Sequence, residues 1–140
     1  MDAFDADALI YAALPGDALG RAVGALFRDD AGGRDRSGGR VGSVLLVPEL
    51  LSKPIREQRI AELERLEGLL ARLELLDVNA VVASLAASLG ARYRLRAADA
   101  VHLATAVNSG ADRFITNNRR DFPADIAEID VTYLDRLAPA

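Results

Sequence analysis

The chain has 140 residues, the size of one ordinary domain with room for a real core. Its residues are 51% hydrophobic, yet no apolar run reaches the length of a membrane span. Asp2, Asp5 and Asp7 stand where a secretory signal would be basic, so a cytoplasmic protein is expected. Cysteine is absent, which excludes a disulfide framework and a thiolate metal site, and a net charge of -4 argues mildly against non-specific nucleic-acid binding.

In chain order, residues 2–5 read as a very short first strand that ends at an acid, Asp5. Residues 6–14 carry strong helix formers and stop at Pro15-Gly16, after which Asp17 is a good N-cap for a helix reaching about Arg28. Residues 29–42 are rich in glycine and mixed charge, cannot bury apolar surface, and predict a mobile loop. Residues 43–47 read as a buried strand, and Pro48 suits the first position of a helix, which puts Glu49 in that helix's first turn. From Ile55 to Leu73 the residues Ile60, Leu63, Leu66, Leu70 and Leu73 recur at helical spacing between charged neighbours. A short strand over 75–78 follows, then a helix over 80–89 capped by Asn79 and closed by Gly90. Residues 96–106 form a helix apolar nearly all round, expected at the centre of a domain, with Asp99 in its first turn. Residues 113–116 and 126–131 read as the last strands, separated by the polar run Asn117-Asn-Arg-Arg-Asp121.

Strands that alternate with helices predict a mainly parallel sheet of four to five short strands, covered on both faces in a three-layer α/β/α arrangement. Such sheets bind ligands beyond the carboxyl ends of their strands. Asp5, Glu49, residues 117–121 and the first turn of the Asp99 helix should therefore lie along one edge. Gathered carboxylates repel one another unless a cation holds them, and all-oxygen ligands suit Mg²⁺ or Mn²⁺ rather than zinc. Such ions keep waters and take phosphate oxygens, which points to phosphodiester hydrolysis: one metal makes hydroxide, another steadies the leaving oxygen. Arg94, Arg96, Arg119 and Arg120 flank the site and could contact RNA phosphates; for Arg119 and Arg120 an ordinary solvated surface is an equal reading. Asp7 either orients Asp5 or caps the first helix. Asp99 taken alone reads first as an acid of the helix N-terminus, and only convergence with other carboxylates makes it a site residue. His102, one turn beyond Asp99, is read as a core histidine bonding locally, with a metal contact as the alternative, and Tyr11 and Phe27 as core.

Four segments carry a resemblance: Phe4-Asp-Ala-Asp-Ala-Leu-Ile-Tyr11, Ser43-Val-Leu-Leu-Val-Pro-Glu-Leu50, Ala98-Asp-Ala-Val-His-Leu-Ala-Thr-Ala106 and Phe114-Ile-Thr-Asn-Asn-Arg-Arg-Asp-Phe122. Taken in order, they resemble the PIN-domain nucleases, and within them the VapC-type toxins of bacterial toxin–antitoxin pairs. The resemblance implies a single PIN-like domain over residues 1–140 and a metal-dependent endoribonuclease restrained by a small antitoxin. It implies that Asp5, Glu49, Asp99 and Asp121 are the acidic quartet. Asp5 and Asp99 would bind Mg²⁺ or Mn²⁺, and Glu49 and Asp121 would do so directly or through water. It further implies that Thr116 and Asn118 shape the last acidic corner (many relatives have an acid at the Asn118 position), and that the protein is a homodimer. Two alternatives stand beside it. One is a PIN fold kept as a non-catalytic binding module. The other is a haloacid-dehalogenase-like phosphatase, suggested by Asp5-Ala-Asp7 but lacking a suitably placed lysine, since Lys53 is the only one.

Overall fold

The structure is a computed structural model that describes residues 1–28 and 39–139. Five strands, β1 (Asp2–Phe4), β2 (Arg40–Ser43), β3 (Glu74–Leu76), β4 (Arg113–Thr116) and β5 (Asp130–Tyr133), form one sheet in the order β3-β2-β1-β4-β5, every pair parallel. Six helices accompany it: α1 (Ala6–Ala12), α2 (Ala18–Ala25), α3 (Leu46–Arg56), α4 (Ile60–Leu70), α5 (Ala80–Tyr93) and α6 (Ala97–Asn108). Side chains alternate along a strand, so successive residues feed opposite layers. Ala3, Val41, Phe114 and Val131 pack with α5 and α6; Phe4 and Ile115 pack with α1 to α4. The three-layer parallel architecture is thus the one the alternating pattern predicts. Among the described residues, no helix is long and apolar enough to cross a membrane.

Several boundaries differ from the sequence reading, each for a local reason. The second strand is Arg40–Ser43 rather than 43–47, because Arg40 and Val41 pair with Asp2 and Ala3, while the Ser43 hydroxyl accepts the Leu45 amide (3.1 Å) and turns the chain. Residues 40–42 of the expected mobile loop are therefore strand, and residues 29–38 of it lie outside the described residues. Helix α3 then begins at Leu46 with Pro48 in its first turn, where the missing amide would have no helical partner anyway. Helix α3 runs through Pro54 to Arg56, and Gln58 (φ 54°) turns the chain before α4, so Ile55 and Ile60 belong to different helices and are both exposed. The third strand is Glu74–Leu76 rather than 75–78. Helix α5 continues through Gly90 to Tyr93, and a Cβ at Gly90 would make only ordinary contact with that of Ala100 on α6 (3.4 Å). The left-handed turn falls instead on Arg94 (φ 55°). The last strand lies at Asp130–Tyr133, beyond Ile126 and Ile129, which pack into the core from the connecting loop. Asp17 and Asn79 cap α2 and α5 as expected, accepting the amides of Gly20 and Val82.

Candidate active site

From β1 the chain first builds outward on one side, to β2 and then β3; it then crosses back to place β4 on the other side of β1. The order of building reverses between β1 and β4, which is where an open parallel sheet has its ligand crevice. Asp5 follows β1 there, and Thr116 ends β4 there.

Asp5 is 4% exposed and begins α1 with its backbone amide bonded to Ile115 O (3.0 Å). Its Oδ2 accepts the Thr116 hydroxyl at 2.8 Å. Burial, reinforced by the Asp7 charge, pushes the Asp5 carboxyl up to about 7, against the opposing pull of Thr116, His102 and the Ala6 amide. Asp7 is no cap of α1. Its Oδ1 accepts the Asn117 amide at 3.1 Å and lies 3.2 Å from the Thr116 hydroxyl, so it ties the loop after β4 to the start of α1. The Thr116 oxygen in turn accepts the Asn118 amide (3.1 Å), and Asn118 holds Asp121 from both sides, donating Nδ2 to Oδ2 (2.8 Å) and accepting the Asp121 amide (3.1 Å). The segment 116–121 is thereby wound around its own side chains.

Helix α6 brings Asp99 in its first turn, and α3 brings Glu49 in its first turn. Burial raises the Asp99 carboxyl, and the charges of Asp121 and Glu49 raise it further; His102 and Arg96 do not offset them. Carboxylates from the ends of β1 and β4 and from the N-terminal turns of α3 and α6 thus come to the same end of the sheet, Asp99 within reach of the charges of Asp121 and Glu49. The sequence reading of His102 as a locally bonded histidine is not what the structure holds. Its Nε2 donates to Glu49 Oε2 at 2.9 Å, a partner 53 residues away on another helix. Burial pulls His102 down, but the Glu49 hydrogen bond and the charges of Glu49, Asp5 and Asp99 outweigh it and raise the imidazole.

The four arginines lie differently. Arg94 and Arg96 are exposed in the turn between α5 and α6, with Arg96 at the N-cap of the Asp99 helix, and Arg120 is exposed beside Asp121. Arg119 is committed elsewhere, paired with Asp135 and stacked 4.1 Å over the Tyr133 ring. Phe27 is core, and Tyr11 packs partly buried in the same cluster. Lys53, which a phosphatase would need beside the acids, is exposed in the last turn of α3.

Among the described residues no three acids or histidines stand close enough together to hold a metal ion as they are. The donor chemistry nevertheless fits a hard divalent ion. Every candidate ligand is a carboxylate oxygen, and burial together with neighbouring acids raises Asp5 and Asp99, a strain that a cation would relieve.

A family model described as "PIN domain" matches residues 3–128. Three solved structures superpose on nearly the whole chain. A toxin–antitoxin complex from Klebsiella pneumoniae has a TM-score of 0.69 at 19% identity, covering 96% of this chain and 98% of that one. A DNA-bound VapBC from Salmonella typhimurium gives 0.68 at 20%, covering 95% and 97%. VapBC2 from Rickettsia felis, bound to a fragment of its promoter DNA, gives 0.69 at 16%, covering 94% and 97%. At these identities the likeness is one of fold. No curated protein matches the sequence.

Proposed function

The chain belongs to the PIN-domain family, and from that premise we propose that it is a divalent-metal-dependent endoribonuclease, the toxin of a toxin–antitoxin pair, acting in the cytoplasm. The observation that carries this reading is the convergence at the switch point of the sheet of buried Asp5 and half-buried Asp99, each beside other acids whose charge holds its carboxyl up. Keeping like charges in a crevice opposes folding, and an ion with phosphate oxygens to bind gives a reason for them.

Asp5, Asp99, Glu49 and Asp121 would hold Mg²⁺ or Mn²⁺. The ion supplies activation of water and charge neutralisation at the scissile phosphate. The chain's own residues do the rest. Thr116 fixes the direction of the Asp5 carboxylate, Asp7 and Asn117 hold Thr116 in place, and Asn118 orients Asp121. Exposed Arg94, Arg96 and Arg120 would take flanking phosphates, and Arg119 would have to leave Asp135 to join them. An antitoxin would silence the site by presenting a cation to the carboxylates; the toxin–antitoxin complexes among the similar structures support such a partner. Exposed Ile55 and Ile60 are the surface we assign to a homodimer contact.

The test is Asp99→Asn. It should leave the fold intact and lower Mn²⁺-dependent RNA cleavage by orders of magnitude, and wild-type products should carry 5′-phosphate and 3′-hydroxyl ends. Wild-type rates from the folded variant, or cyclic phosphate ends, refute the reading.

A further inference from the structure

Among the described residues, one buried side-chain polar atom has no hydrogen-bond partner, His102 Nδ1. A histidine kept in a core merely for packing satisfies both of its nitrogens or is replaced by an apolar side chain. His102 is 2% exposed and does neither. Its single polar contact is Nε2 to Glu49 Oε2, at 2.9 Å. The ring lies one turn along α6 from Asp99, on the same helix face, and feels the charges of Glu49, Asp5 and Asp99, which come from three different elements. It stands behind the acids as a floor to the crevice.

Glu49 needs such a floor. Its side chain is one-third exposed and has three rotatable bonds, so an unrestrained carboxylate would spread over many rotamers. We infer that His102 is a positioning residue: by donating Nε2–H to Glu49 Oε2 it locks that carboxylate in the crevice and leaves Oε1 as the oxygen available to an ion. Nε2 carries its hydrogen in both the protonated ring and the neutral tautomer that this bond selects, so the lock does not depend on the charge of the imidazole. The orphan Nδ1 follows from the same arrangement: the ring is oriented for Glu49 at the expense of its second nitrogen. This inference rests on the nuclease reading above, in which Glu49 is a ligand.

Side-chain geometry supplies a matched pair of variants. A glutamine amide places its nitrogen where His102 has Nε2, and an asparagine amide reaches only the position of Nδ1. Metal ligands that lose the group orienting them lose about 10–100-fold in affinity or activity. Mn²⁺ affinity, read from the electron paramagnetic resonance signal of the free ion, should therefore fall by about that factor in His102→Asn and His102→Leu and stay close to wild type in His102→Gln. In a Glu49→Ala background the same changes at His102 should cost nothing further, because there is no carboxylate left to hold. RNA cleavage should follow the same order, with the loss in kcat. Should His102→Leu fail to give a cooperative melt, the asparagine and glutamine pair decides alone. Glutamine behaving like asparagine would mean that the imidazole itself is needed, and equal Mn²⁺ binding by His102→Asn and wild type would mean that Glu49 needs no lock. A loss that persists without Glu49 would mean that His102 acts elsewhere. Each of these overturns the inference while wild-type Mn²⁺ binding leaves the nuclease reading standing. A wild-type protein that binds no Mn²⁺ overturns both.

Discussion

Replacing Asp5 by asparagine isolates the electrostatic cost of the site. In the metal-free folded protein the Asp5 carboxyl titrates at about 7, raised from 3.8 chiefly by burial. Its folded value is raised, so its contribution to stability is fully present below about pH 4 and is lost as the pH climbs through 7. Over that interval, at about 1.4 kcal/mol per pH unit, the loss is at most about 4 kcal/mol. An asparagine at this position cannot ionise, yet its side-chain oxygen can still accept the Thr116 hydroxyl. Asp5→Asn should therefore gain on wild type as the pH rises, from near parity at about pH 4 to about 4 kcal/mol at most by about pH 8. For a chain of this length that is on the order of 10 °C in melting temperature. The assay is thermal unfolding in EDTA at half-unit steps from about pH 4.5 to 8.5, followed by the same series with Mn²⁺. The ion should oppose this gain at high pH, stabilising wild type by about 2.7 kcal/mol at a hundredfold excess over Kd while doing far less for the variant. A difference between the two proteins that stays constant across the pH range would refute the reasoning, because Asp5 would then ionise in the fold as it does in the unfolded chain.

Thr116→Val removes the hydroxyl that donates to Asp5 and accepts from Asn118; it should cost about 1–3 kcal/mol in denaturant melts, and the acid limb of RNA cleavage should move to higher pH. An unmoved limb would show that Thr116 does not tune Asp5. Gly20→Ala would put a Cβ 2.1 Å from the Tyr11 carbonyl oxygen where α1 meets α2, so it should destabilise by more than the ~1 kcal/mol of helix propensity it gains, as calorimetry would show. Asp17→Ala removes the cap on the Gly20 amide and should cost about 1 kcal/mol by the same measure, with no effect on Mn²⁺ binding.

What can be read from the sequence is what is written in neighbouring residues. Asp5 after a short apolar run, Glu49 next to Pro48 and Asp99 at the head of an alanine helix all announce themselves locally, and the sheet rule gathers them. Arg113–Thr116 is legible as a strand because four consecutive residues change character at both ends. The helix break at 57–59 is hidden, because leucines and isoleucines at helical spacing continue across it and Gln58 gives no hint of a positive φ. Gly90 misleads in the opposite direction: a glycine that closes a helix and one that lies within it look alike in sequence. Long-range partners are beyond reach. Nothing near His102 points to Glu49, and nothing near Arg119 points to Asp135, so the positioning residue escapes a sequence reading and one candidate phosphate contact proves to be tethered. The signal that could find His102 is its solitude: one imidazole, on an otherwise apolar helix, one turn from an acid.

The place of β1 has a consequence for the newly made protein. This strand lies at the middle of the sheet, yet one of its two neighbours, β4, is synthesised long after it, and Asp5 meets Thr116 across 111 residues of chain. At ordinary rates of translation, Thr116 follows Asp5 by roughly 6–20 s. During that interval Asp5 has no hydroxyl to orient it, Asp121 does not yet exist, and the apolar flank of β1 has only β2 to pair with. Contacts between such distant parts of a chain also form slowly once both are available. A ribosome-bound chain therefore carries Asp5 and Glu49 without a complete crevice until β4 and residues 117–121 have been made. On the nuclease reading proposed above, the chain cannot act on the message it is being read from until Thr116 and Asp121 have been made.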